Sequence, residues 1–207
     1  MEDVFPQVLF TFYGIPIRNT VISTWAMMLM IVAAVLVFRK KVPIVLEMLV
    51  NFVEGIAEDY IEGPPDIYVP FLGSLLVFIA VANLSGIIPL MATPTRDINT
   101  PLALALIVLV VVFAYGFVVK GIGGFFKGFL SPTLPLDLIG YVSRTMSLTL
   151  RLFGNVIGGE IIVAVLMRLV PVGVPLIMVA LTSITGILQS YVFTVLAASY
   201  ISSMVQE

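Results

Sequence analysis

A few side chains in one apolar stretch have the types and spacing to handle ions. The run Ser147-Leu-Thr-Leu-Arg151-Leu-Phe-Gly-Asn155-Val-Ile-Gly-Gly-Glu160-Ile-Ile is hydrophobic enough to lie in a bilayer, yet it holds a guanidinium and a carboxylate. Arginine stays charged because its pKa is above about 12. Insertion scales put it at roughly 2.5 to 3.5 kcal/mol unfavourable near a helix centre, so water, a buried partner or a role in transport must compensate. On a helix advancing about 100° per residue, Arg144 lies about 20° from Arg151, and Ser147 and Asn155 lie about 40° to either side of it, giving one polar seam. Glu160 falls about 180° away and about 13 Å along the axis, so the two charges serve different parts of the protein. The plainer alternatives are a buried ion pair of Arg151 with Asp137 or Glu160, and a neutral, locally hydrogen-bonded acid at Glu160. Arg144 reads as structural, paired with Asp137 below it.

The last segment carries Thr182, Thr185, Gln189 and Tyr200 at offsets that keep them on one stripe. A Gln in an apolar span is costly unless it finds a partner. The Arg151 seam can supply one, and ordinary interhelical hydrogen bonding explains the stripe as well. Gly154, Gly158 and Gly159 remove bulk beside the charges, which suits close helix packing or an ion route.

These residues need elements to hold them, and the composition says which kind. Hydrophobic residues make up 60% of the 207 and charged ones 11%, against about a quarter charged in soluble domains, so the expected class is an all-α integral membrane protein. A net charge of -2 gives no reason to expect nucleic-acid binding. The chain has no Cys and no His, which removes disulfides, haem attachment, most transition-metal sites and the imidazole proton carrier. No cofactor or metal is expected, and a proton relay must use carboxylates, hydroxyls, amides and water. Met1-Glu-Asp lacks the basic region of a cleavable signal, so the first hydrophobic segment is expected to remain.

Residues 21–38 are uncharged and end at Arg39-Lys40-Lys41, a spanning helix whose basic end lies in the cytoplasm and whose N-terminus faces outward. Over 43–61, Glu47, Asn51, Glu54 and Glu58 share one face while Val45, Met48, Leu49, Phe52 and Ile56 share the other, which predicts an amphipathic surface helix. Its acidic face argues for a protein neighbour over anionic lipid. Spans follow at 67–90 and 102–119, separated by a turn-rich loop through Arg96 and Asp97. Gly121-Ile-Gly-Gly124-Phe-Phe-Lys127-Gly128 lacks the context of a phosphate loop and reads as a flexible connector. Residues 136–168 and 175–205 form a long hairpin turned at Pro171-Val-Gly-Val-Pro175. At 1.5 Å per residue its second arm is about 46 Å, too long for a 30 Å core without tilt, bending or protrusion. Five membrane-embedded helices and one surface helix make a single membrane domain, with the C-terminus cytoplasmic.

Ser147-Leu-Thr-Leu-Arg151-Leu-Phe-Gly-Asn155 followed by Gly159-Glu160 resembles the signature of subunit a of the membrane (Fo) sector of F-type ATP synthases. Asn83-Leu-Ser-Gly-Ile-Ile-Pro89, Pro94-Thr-x-Asp97-x-Asn99-Thr100, Ser143-Arg144 and Leu188-Gln189-x-Tyr191-Val-Phe add to the likeness, which runs from about residue 15 to the C-terminus. The resemblance implies a non-catalytic, ion-translocating stator in a bacterial plasma membrane. Its partners would be a c-subunit ring, the peripheral-stalk b subunits and the remaining synthase subunits. Arg151 would face the ring carboxylate between two half-channels, Glu160 would line the outward one, and Asn155 and Gln189 would support Arg151, with Arg144, Ser147, Thr182 and Asp137 as further polar support. The family often places a histidine at about the position of Thr182. This chain has none, so a hydroxyl-and-water path, or sodium instead of protons, stays open.

Two other classes compete. A secondary transporter binding an anionic solute at Arg151 calls for inverted repeats and paired broken helices, which the sequence lacks. An intramembrane enzyme calls for a nucleophile and base, a metal or a carboxylate pair, and only Asp137 and Glu160 lie near membrane depth.

Overall fold

The computed structural model describes residues 8–12, 15–87, 93–129, 134–170 and 173–206. Two strands, β1 (Val8–Phe12) and β2 (Ile15–Arg18), pair antiparallel, with Val8 opposite Arg18 and Phe12 opposite Ile15. The sequence pattern predicts no element before residue 21. The hairpin forms where aromatic and β-branched residues favour extended backbone, and it delivers Arg18 to the start of the first helix.

Helix α1 (Asn19–Lys41) buries only Thr20 and Met27, leaving an apolar surface that includes Trp25 and Leu29 open, as suits lipid on most sides. Its last turn holds Arg39, Lys40 and Lys41, where cations meet the negative end of the helix dipole. Pro43 then keeps Val42 out of the helical region, at φ -143° and ψ 67°, and starts α2 (Pro43–Tyr60) at its favoured first-turn position.

The inward face of α2 differs from the expected one. Val53, Ile56 and Ala57 are buried, with Leu49 half-buried beside them, whereas Val45, Met48 and Phe52 remain exposed. The acidic row Glu47, Asn51 and Glu58 is exposed with Glu54 half-buried, so the helix has three sectors instead of two. A two-sided reading merged the sector packed on the bundle with a second apolar sector that stays open.

A short 3-10 turn (Pro65–Ile67) leads into α3 (Val69–Leu84), which a further 3-10 turn, Ser85–Ile87, extends. After the turn Pro94–Arg96, α4 runs over Asn99–Phe129. The connector read as a flexible loop from Gly121 is helical instead, broken only at Gly121, where φ is 68°. A glycine reaches that angle without a Cβ clash. The backbone beyond it returns to helix, the arrangement that satisfies its own polar groups near a membrane.

Helices α5 (Leu134–Leu169) and α6 (Val174–Gln206) pack against each other as the long hairpin. Pro171 and Val172 of the expected turn lie outside the described residues; Gly173 has φ 87°. The core lies between α3, α4, α5 and α6, with α2 across one end. Leu72, Ile79, Val108, Leu148, Leu152, Phe193 and Ile201 are enclosed there. Ala82, Ala105, Ala197 and Ala198 let the backbones approach closely, which is how helices gain packing where lipid is as apolar as the side chains. Among the described residues, α1, α4, α5 and α6 are long and apolar enough to cross a membrane, and α3 is a shorter apolar helix. The chain is an all-α membrane protein with one small hairpin.

Candidate functional site

The α3–α4 loop builds the site. Asp97, 4% exposed in its side chain, accepts two bonds from Arg18 Nη1 at 3.0 and 2.8 Å and one from the Thr20 hydroxyl at 3.2 Å. It also accepts from the backbone N–H and the side-chain amide of Asn99, at 3.2 and 2.9 Å. A buried carboxylate is tolerable only when its lone pairs are satisfied in this way. This anchor joins the N-terminal hairpin and α1 to the loop. On the other side, Thr95 donates to Asn83 Oδ1 at 3.0 Å, and Asn83 Nδ2 donates to the Gly186 carbonyl at 2.9 Å, tying the loop to α3 and α6. A Cβ on Gly186 would lie 2.9 Å from Asn83 Cβ, so the contact needs a glycine.

Thr93 and Arg96 are thereby held over a cavity of about 250 Å³ between α3, α5 and α6. Glu160 lines it with its side chain 24% exposed. Arg96 Nη1 lies 3.9 Å from Glu160 Oε2 with the arginine side chain only 10% exposed, and the Thr93 side chain hydrogen-bonds the same carboxylate. Asn155, Thr182 and Ser183 add oxygens to the wall. The Thr182 hydroxyl donates to Met178 O at 2.8 Å, so its proton goes to its own helix and its lone pairs remain as acceptors. Gly159 is what brings Thr182 this close: a Cβ there would collide with the threonine methyl and lie 3.0 Å from its hydroxyl.

Arg151 is elsewhere. Leu148, Leu152 and Val156 bury one face of α5, and the opposite face presents Ser147, Leu150, Arg151 and Gly154, all exposed. Among the described residues Arg151 has no ion pair: Glu160 faces Arg96, and the side chain of Asp137 lies outside the description. Nor does Arg151 line the Glu160 cavity. Asn155 does, one turn further along α5.

Gln189 is buried on α6 with Nε2 unpartnered, and no hydrogen bond joins it to Arg151. Tyr200, placed on the same stripe by sequence, serves Arg144, whose guanidinium lies 5.1 Å from its ring centre. Arg144 also donates to Ser203 at 3.3 Å, so its described partners are on α6. The structure brings Glu160, Asn155 and Thr182 together and leaves Arg151 and Ser147 on another face. Arg96 is the cavity residue that the sequence pattern does not single out. Its signal was a cation in a Pro-Thr-Arg-Asp turn directly after an apolar span.

A family profile described as ATP synthase A chain matches residues 20–202, taking in Asp97, the cavity and Arg151. The chain belongs to the ATP synthase subunit a family. ATP synthase subunit a 2 of Bradyrhizobium sp. strain BTAi1 is 36% identical over 208 residues, covering 96% of this chain and 93% of the relative. ATP synthase subunit a 2 of Picosynechococcus sp. strain PCC 7002 is 38% identical over 208 residues, covering 95% and 89%. ATP synthase subunit a of Moorella thermoacetica is 34% identical over 215 residues, covering 99% of each. The match to subunit a thus includes both faces of α5.

Proposed function

We propose that this chain is the ion-translocating stator subunit of a rotary ATP synthase, a single membrane domain that carries no catalysis of its own. The observation that carries the reading is the division of α5. Arg151 stands on an exposed face with no ion pair among the described residues, and Glu160 faces a cavity with several polar side chains in its wall on another side. A permanent charge on an apolar face calls for a compensating carboxylate. In this reading it arrives on the c-subunit ring, loses its bound ion beside Arg151, and leaves with the next step of rotation. The cavity then forms part of the outward half-channel, with Glu160 exchanging ions and Asn155 continuing the polar path one turn toward Arg151. A second half-channel opens to the cytoplasm, and Arg151 blocks a direct leak between the two.

With Arg39, Lys40 and Lys41 at the end of α1 read as cytoplasmic by the positive-inside rule, the N-terminus and the cavity would lie outside and the C-terminus inside a bacterial plasma membrane. The exposed acidic row of α2 suits the peripheral-stalk b subunits. Gln189, buried with a free donor, supports the ring-facing region of α6. An anionic solute bound at Arg151 gains no support, because that side chain does not line the cavity.

The test is Arg151→Gln and Arg151→Ala in the assembled synthase, reconstituted in liposomes. ATP-driven ion pumping should disappear from both while the complex still assembles. Coupled pumping preserved in both variants contradicts the proposal.

A further inference from the structure

The Glu160 cavity contains the makings of a site for a hard cation and, beside them, a group that opposes one. The carboxylate, the Asn155 amide oxygen and the Thr93, Thr182 and Ser183 hydroxyls are oxygen donors of the kind that such ions choose. Thr182 and Ser183 already donate to Met178 O and Val179 O, at 2.8 and 2.7 Å, which leaves their lone pairs to accept or coordinate. Against this stands Arg96, 3.9 Å from the carboxylate and almost enclosed.

We propose that Arg96 is a selectivity residue: a fixed cation that keeps alkali-metal ions off Glu160 and leaves the proton as the ion this cavity passes. The inference rests on the transport reading above and settles, for this cavity, the choice between sodium and protons. An alkali ion bound at the carboxylate would have to sit close to a guanidinium that does not lose its charge. Arg96 is also poorly placed to move aside. Its backbone N–H bonds Thr93 O at 3.2 Å, and the next residue, Asp97, is fastened by Arg18, Thr20 and Asn99. A proton meets no such obstacle, since it neutralises the carboxylate in place and travels through water and hydroxyls without a coordination shell beside the guanidinium.

The experiment uses the assembled synthase in liposomes, inserted so that the cavity end of the subunit faces the lumen. ATP synthesis after an acid–base jump is compared with sodium chloride or an equal concentration of choline chloride inside. The wild type should give equal rates. R96Q should be several-fold slower in sodium than in choline, since losing one fixed charge at this separation raises the apparent sodium affinity by roughly tenfold or more. R96K should resemble the wild type, and adding E160Q to R96Q should abolish the sodium effect. A merely structural role for Arg96 would lower the rate equally in both salts. Equal rates for R96Q in sodium and choline overturn the proposal, as does uptake of labelled sodium or sodium-driven synthesis by the wild type. The wild-type arm needs no variant, so the idea stays testable where R96Q fails to assemble. If Arg151 proves dispensable, the transport reading falls; if Arg151 is essential and R96Q is indifferent to sodium, only the role of Arg96 falls.

Discussion

Arg96 and Arg151 carry the same group in opposite settings. Arg96 sits in a turn, almost enclosed, facing a carboxylate of its own chain at 3.9 Å. Arg151 sits on a continuous helix, exposed among Ser147, Leu150 and Gly154, with no ion pair among the described residues. A buried charge is kept when its partner is built in, because losing one member of such a pair is destabilising by about 3 to 5 kcal/mol. A charge left open on a face made for an apolar environment makes sense when its partner belongs to another molecule. One arginine belongs to the architecture of a cavity, and the other to an encounter.

That contrast can be broken in several places. The largest effect falls at Arg151, where Gln or Ala should abolish coupled pumping without disturbing the fold, since no ion pair among the described residues is lost. A fall in the melting temperature of the purified complex comparable to the loss of function would show that Arg151 is structural after all. Glu160→Gln should slow transport several-fold but less completely, read as the initial rate of ATP-driven pumping. It keeps the shape beside Thr93 and removes the charge facing Arg96. A loss equal to that of Arg151→Ala would rank the two residues wrongly.

Next comes Gly159→Ala, which forces a methyl against Thr182 and should cost about 1 to 3 kcal/mol, the usual range for overpacking. Adding Thr182→Ala should restore most of it, and additive losses in thermal unfolding would remove the contact from the account. The smallest change is Arg144→Ala. It loses a ring contact worth about 0.5 to 1 kcal/mol at a partly exposed site and one long hydrogen bond, so pumping should stay near normal.

The long apolar elements were legible because a bilayer demands uninterrupted hydrophobic helix, and the stop at Arg39-Lys40-Lys41 before Pro43 is a local signal. The opposition of Glu160 to Arg151 followed from helix geometry alone. What pattern could not supply was contact between distant segments. Glu160 meets a loop residue more than sixty positions earlier, and Tyr200 meets Arg144 because α5 and α6 run past each other. On α2 the exposed Met48 and Phe52 have the same polarity as the buried Val53 and Ile56, so periodicity could not tell the bundle side from the open one. The Gly121 connector misled for a related reason: several glycines suggested a loop, whereas only one of them takes a non-helical angle.

Because the chain has no cysteine, single cysteines can report on the Arg151 face and on the Glu160 cavity without background from this subunit. The most direct measurement pairs Ser147→Cys, on the Arg151 face, with Ser183→Cys, in the Glu160 cavity, in the assembled synthase. Ser147→Cys is expected to cross-link to a cysteine placed beside the c-ring carboxylate and to resist a membrane-impermeant maleimide, whereas Ser183→Cys reacts with that maleimide added from outside and does not cross-link. The reverse pattern, with the Arg151 face labelled from water and the cavity cross-linked to the ring, would contradict the division of labour proposed for the two arginines.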